Sequence, residues 1–303
     1  MRDDRRHPSL ARAHALGQRR LDDLARRDRD HYGATHVQEV HVQTALQPFV
    51  QQGDAWSLNP YLGCAHRCSY CYVPDIIQAE RHRWGTYVIV KRNVATVLAK
   101  ELPRRQPKRV YLCTGTDPYQ PAEAEHRITR GCLDRLVRRR WPVDVLTRSP
   151  LVLRDTDLLA ETDHRVGLSV PTMDDAARAV VEPAAPPIDA RLDALRRLAD
   201  AGLVTYANLA PAYPPSGGFT AEDVAQTFAE TGVGWVNFSA WRRRRTVLPV
   251  VSAKTAGTPY ADLARIVAVD EQQDALEQQM QAAFDAIGLP LRRGFFNPPD
   301  PPS

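Results

Sequence analysis

Between residues 56 and 239, short apolar runs alternate with helix-length amphipathic stretches, and no other feature restricts the fold as much. Strands are expected at 55–62, 109–113, 143–147, 166–170, 204–209 and 235–239. Helical patterns fall between them at 94–102, 131–139, 191–201 and 221–230, with a shorter one at 154–160. Leu192, Leu195, Leu198 and Ala199 show the 3.6-residue spacing, and Gly202 supplies the stop. Six strand–helix units imply a parallel sheet with right-handed crossovers. Six is short of the eight in a closed barrel, so the fold class is α/β, a partial (β/α)6 TIM-type barrel with N-terminal and C-terminal extensions. A doubly wound open sheet is the rival. In both, chemistry belongs at the carboxyl ends of the strands.

The barrel is assigned to 51–245. An Arg-rich extension with helical patches such as 16–24 and no core pattern precedes it at 1–50. A helical extension and tail follow at 246–303, where Leu276, Met280, Ala283, Phe284 and Ile287 line one helix face that Gly288 and Pro290 end. Phe295 and Phe296 lie in the tail. The start is charged, no apolar signal core follows it, and no run approaches a membrane span, so a cytoplasmic protein without a membrane partner is expected. Thiols stay reduced there, and three of the five cysteines fall within eight residues, which suits a metal site better than disulfides.

Those three, Cys64, Cys68 and Cys71, follow the first strand in a C-x3-C-x2-C loop. Three thiolates on one loop can hold a [4Fe-4S] cluster, and four irons with three cysteines leave one iron open for a further ligand. The competing reading is a Cys3His zinc site that adds His66, built into a non-catalytic nucleic-acid-binding module.

An aromatic residue just before the third cysteine, after the first strand of a βα series, resembles the radical SAM signature. The wider string from Gly63 through His66, Tyr70 and Tyr72, with Thr116-Asp117-Pro118-Tyr119-Gln120-Pro121, resembles the spore photoproduct lyase-like branch. The resemblance spans roughly 56–239. It implies that S-adenosylmethionine (SAM) binds the open iron and is reductively cleaved to a 5′-deoxyadenosyl radical, with an external electron donor such as a flavodoxin or ferredoxin. The cofactor supplies the difficult chemistry and the protein supplies placement.

The resemblance also implies roles for single residues. Tyr70 lies against the adenine, and Tyr72 is a candidate hydrogen-atom relay. Thr116 and Asp117 match the strand end that binds the SAM ammonium. Arg148 replaces a lysine near the SAM carboxylate, a substitution that guanidinium chemistry permits. Ser169 is a ligand for ribose or carboxylate, and Ala210 lines the adenine pocket. Glu182 and Arg191 contact SAM or each other. Cys113 is the candidate hydrogen donor, but it stands one residue before the lyase slot, which holds Thr114, and such a shift turns a strand residue to the other face. A core cysteine is the rival reading, as it is for Cys132.

Asn237 and Ser239 share a face of the sixth strand and are substrate-side candidates. Only four of the 40 basic residues are lysines, and arginines cluster at 104–109, 138–140 and 242–245. The last cluster follows Trp241 at the expected mouth, where arginine beside an aromatic suits phosphate contact with base stacking. Nucleic acid is therefore the first guess for substrate.

Overall fold

The computed structural model describes residues 35–49, 54–160, 163–241 and 244–294. The 16–24 helical patch, Arg242, Arg243, the Arg244 side chain and the tail aromatics lie outside the described residues.

The described strands run β1 (His36–Val40), β2 (Leu46–Pro48), β3 (Trp56–Leu58), β4 (Tyr61–Leu62), β5 (Tyr87–Lys91), β6 (Val110–Leu112), β7 (Val143–Thr147), β8 (Arg165–Ser169), β9 (Val204–Leu209), β10 (Trp235–Phe238) and β11 (Leu291–Arg293). The main sheet has the order β11-β10-β9-β8-β7-β6-β3-β2. From β3 to β11 every neighbouring pair is parallel, and only β2 runs antiparallel. The six expected strands thus stand side by side in chain order, as a (β/α)6 partial barrel requires.

Alternation along each strand divides its residues between two faces. Val145, Val166, Leu168, Ala207, Leu209, Val236 and Phe238 point outward into the main core, with Leu195 and Leu198 of helix Ile188–Asp200. The inner face is more polar. Tyr206 donates to Asp144 at 2.7 Å and stacks on Trp235 with centroids 5.0 Å apart. Gly167 makes room for that ring, since a Cβ there would come within 2.2 Å of it.

The expected strand at 55–62 is two strands. β3 joins the main sheet, whereas β4 pairs antiparallel with β5, which pairs parallel with β1 in a three-stranded side sheet. Asn59 and Pro60 turn the chain between the two sheets, and both halves are apolar enough to read as one run. The 1–50 segment also contributes more than expected, since β1 and β2 lie within it. Glu101 fixes its course by accepting the Ala45 and Leu46 N–H groups at 3.0 Å each. The helix expected at 131–139 starts earlier, at Ile128, and the short one expected at 154–160 is present as Thr156–Leu159, entered from a 3-10 turn that ends at Asp155.

Alternation does not stop at 245. Helices Arg244–Thr255, Leu263–Ile266 and Asp270–Ile287 lead into β11, a seventh parallel strand beside β10. The last helix packs on helix Ala221–Ala229, Phe284 against Phe228 with centroids 6.3 Å apart. A second core forms where helices Arg244–Thr255 and Leu263–Ile266 meet the cysteine loop. It unites Val247, Val251, Leu263, Ala264 and Val267 with Cys68, Tyr70, Tyr213 and Trp241.

Candidate active site

The cysteine loop starts at a turn that needs glycine. Gly63 has φ +83°, and a Cβ there would lie 2.3 Å from the Tyr87 carbonyl oxygen of β5. The next strand end then holds the loop down. Gln120 accepts the Ala65 N–H at 2.9 Å and donates to the Gly63 carbonyl at 3.2 Å and to Thr116 at 3.0 Å, while Thr116 donates to the Gly63 carbonyl at 2.5 Å. Farther along, the Arg67 Nε donates to the Gly85 carbonyl at 2.9 Å, and Arg81 donates to the Cys71 carbonyl at 2.8 Å.

Asp117 is buried and joins three parts of the site. Its Oδ1 accepts the Thr147 hydroxyl at 2.6 Å and the Tyr119 N–H at 2.9 Å, and its Oδ2 accepts the Arg148 N–H at 2.8 Å. The His66 Nε2 lies 3.4 Å from Oδ2. Burial works to raise the Asp117 pKa, but the imidazole of His66 and these hydrogen bonds outweigh it and hold the carboxyl at about 2. The His66 Nδ1 is 3.3 Å from the Ala184 carbonyl, so the ring is fixed between Asp117 and that oxygen.

Cys64 and Cys71 are half-buried and Cys68 is buried. Burial lifts Cys64 to about 12, raises Cys71, and puts Cys68 well above the ordinary thiol range. At each of the three the Arg148 guanidinium pulls the other way. Burial opposes the charge of Arg148 itself, and Cys68, Asp117, Cys64 and Cys71 restore it. The charge of one guanidinium thus reaches all three thiols. That guanidinium also donates from Nε to Glu182 at 3.2 Å and from Nη2 to the Tyr70 hydroxyl at 3.0 Å, with the Tyr70 ring 5.7 Å away.

Among the described residues no three His, Cys, Asp or Glu side chains gather tightly enough around one point for a single metal ion. An iron–sulfur cube takes each thiolate on a different iron, so its ligands stand farther apart than those of one ion. Three thiols of one loop, in electrostatic reach of one another and of a shared cation that favours the thiolate form, fit such a group. His66, turned to Asp117 and Ala184, is not gathered with them.

The remaining sequence candidates fall in several places. Tyr70 is buried, donates to Glu182, and meets Tyr213 and Trp241 edge-on at 6.1 and 5.7 Å. Arg191 is fully buried and its donors are spent inside the protein. They go to Glu182 Oε2 at 2.5 Å, the Ser169 carbonyl at 2.8 Å and the Pro186 carbonyl at 2.9 Å. Of the two partners considered for Arg191, Glu182 is the one it meets. Tyr72 is half-buried ahead of the short helix Val73–Ile77. Cys113 has φ +67° and is buried, and the charges that bear most on it are those of Asp117, Lys91, Cys132 and Glu123. Ser169 ends β8 on the inner face, fully buried, and Ala210 is buried just past β9. Gln120 is a connector to which the sequence reading gave no role, and Glu182, named there as a partner of SAM or Arg191, also holds Arg148 and Tyr70. Both stand inside or beside motifs already quoted, and only their contacts show what they hold.

A sequence profile of the Radical SAM superfamily matches residues 58–230, more than half of the chain. The chain belongs to the radical SAM superfamily. An uncharacterized protein of Methanocaldococcus jannaschii is 29% identical over 178 residues, covering 58% of this chain and 67% of that protein. An uncharacterized protein of Mycobacterium tuberculosis is 35% identical over 169 residues, 52% of this chain, which spans half of that protein's length. Among solved structures, a spore photoproduct lyase complexed with dinucleoside spore photoproduct superimposes with a TM-score of 0.65 at 15% identity, covering 94% of this chain and 96% of that one. A lyase variant with bound AdoMet and dinucleoside spore photoproduct gives 0.64 at 15% identity, over 93% and 94%. At such identity the likeness is one of fold. The radical SAM barrel and the lyase architecture expected from the cysteine loop are therefore present.

Proposed function

We propose that this protein is a radical SAM enzyme that cleaves SAM reductively and directs the resulting radical at a nucleic-acid substrate. The observation that carries the reading is the placing of Cys64, Cys68 and Cys71 on one loop of a radical SAM chain, with Cys68 packed against Tyr70, whose hydroxyl accepts from Arg148. When bound, the [4Fe-4S] cluster supplies the electron that breaks a carbon–sulfur bond of SAM.

The residues of this chain bind, orient and exclude water. Arg148 spends two of its five N–H donors on Glu182 and Tyr70, leaving others for the carboxylate of SAM. Glu182 keeps that guanidinium from swinging away. Tyr70, Tyr213 and Trp241 form an aromatic wall over Cys68 that keeps water from one side of the site. Thr116, Asp117 and Gln120 act on the loop backbone and on His66. They are positioning residues in this reading, and their free lone pairs are the ones left for the SAM ammonium.

Nucleic acid is favoured as substrate by the arginine-rich composition and by the dinucleoside photoproduct bound to the lyase of the same fold. An external flavodoxin or ferredoxin is the proposed electron donor, and the cytoplasm the proposed compartment. Among the described residues no helix is long and apolar enough to cross a membrane.

The test is anaerobic reconstitution with iron and sulfide, followed by dithionite and SAM. A brown protein with about four irons per chain that forms 5′-deoxyadenosine is expected. Cys71→Ala should abolish both colour and product, and His66→Ala should retain the iron. A colourless protein with one zinc per chain, lost on His66→Ala, would establish the Cys3His binding module instead.

A further inference from the structure

The inner face carries polar atoms that nothing among the described residues satisfies. Asn208 of β9 is fully buried, and neither its Oδ1 nor its Nδ2 has a hydrogen-bond partner. Ser169 of β8 lies directly opposite it in the parallel register, is also fully buried, and its Oγ has none. On the other side Asn208 registers with Asn237 of β10, which registers with Arg292 of β11. Alternation puts Asn208 on the face of Tyr206, whose ring bonds Asp144 and stacks on Trp235, away from the helices. Arg292 covers the same Trp235 at 5.0 Å. Four adjacent strands thus present one polar row inside the barrel, at the end nearest the mouth.

A buried donor or acceptor left without a partner destabilises the fold, so two on one side chain are not kept for stability. A carboxamide offers an N–H beside an oxygen, and its complement is an acceptor beside a donor in one plane. That is the edge of a nucleobase, and asparagine makes a bidentate pair with it. We propose that Asn208, assisted by Ser169, reads the edge of a nucleobase inside the barrel. Two sources can supply that base: the adenine of SAM, or a base of the nucleic-acid substrate. The inference rests on the functional reading above only in taking the barrel interior as the ligand cavity.

The experiment uses anaerobically reconstituted holoenzyme and Asn208→Leu, which keeps the shape and removes both polar atoms. S-adenosylhomocysteine is titrated as the adenine probe. A fluorescein-labelled oligothymidylate octamer is compared with its abasic counterpart as the substrate probe. The proposal expects a loss of about tenfold in one of the two base-dependent affinities. Weakened S-adenosylhomocysteine assigns the edge to adenine. A lost preference for thymine over abasic octamer assigns it to the substrate. The melting temperature should stay level or rise, because an unsatisfied amide has been replaced by an apolar group. A melting temperature lowered by several degrees with both affinities intact means that Asn208 is a core residue, and overturns the proposal, as do two unchanged affinities at any stability. Asn208→Ala serves if the leucine variant does not fold, with the same readings. Iron content and 5′-deoxyadenosine yield of the wild type are measured alongside, so that failure of the cluster chemistry is seen separately.

Discussion

At the scale of single residues, the site is organised by carboxylates turned inward rather than toward a ligand. Asp117 ties the Thr147–Arg148 strand end to its own turn and to His66, and Glu182 ties Arg148, Tyr70 and Arg191 together. Glu182 and Arg191 are both fully buried. Glu182→Gln leaves a guanidinium buried without its counter-ion, and a loss of about 3–5 kcal/mol is expected in urea unfolding. Because the same change frees Arg148, the iron content after reconstitution should fall with it. That the three cysteines share one loop was legible from their spacing alone. Asp117 was legible as a special position, but its bonds were not, because a carboxylate in the loop after a strand can turn to a ligand or to the next strand with the same sequence. Cys113 shows the same limit: its left-handed backbone, which governs where the thiol points, has no mark in the residue type.

At the scale of elements, the strands were read most faithfully where both faces are covered. Val143–Thr147 and Val204–Leu209 stand where their apolar runs predict. β11 escaped notice because Leu291-Arg292-Arg293 has one apolar residue in three and owes its pairing to β10 alone. β4 was absorbed into β3 because the pattern of burial continues across a change of sheet. The close approach of β8 and β9 gives a direct test of the inner packing. Gly167→Ala drives a methyl into the Tyr206 ring, and a loss of about 1–3 kcal/mol is expected in thermal or urea unfolding. Tyr206→Leu should cost stability alone, by loss of its stacking on Trp235. Combined, the two should cost less than their sum, since the smaller side chain vacates the contested volume; strict additivity would mean that the contact is relieved elsewhere.

At the scale of the whole molecule, two buried groups near the amino ends of β7 and β8 oppose each other in acid. Burial, above all, raises Asp144 from 3.8 to about 6, so the folded state holds this proton more tightly than the unfolded chain does. That stability is complete below about pH 4 and is lost as pH rises through 6. His164 moves the other way: burial, then Arg109, lowers it from 6.5 to about 4, and its Nδ1 accepts the Val143 N–H at 3.1 Å, as a neutral ring must. Its contribution is present above pH 6.5 and is lost as pH falls through 4. The wild type should therefore change little between pH 7 and 4.5 in urea midpoint. Asp144→Asn should make the acid loss steeper, and His164→Asn should turn it into a gain. The chain-wide curvature of the sheet was legible from six alternations, whereas these compensating titrations depend on depth, which a linear pattern does not encode. The C-terminal helices sealed over Cys68 carry a last implication. Maleimide should label Cys64 and Cys71 of the metal-free protein before Cys68, Cys113 and Cys132, in two separate kinetic phases. On the proposed reading, two of the three candidate ligands stand half-open and the third lies under residues 247–267, so loading a chain that has already folded should be slower than loading one that refolds around iron and sulfide.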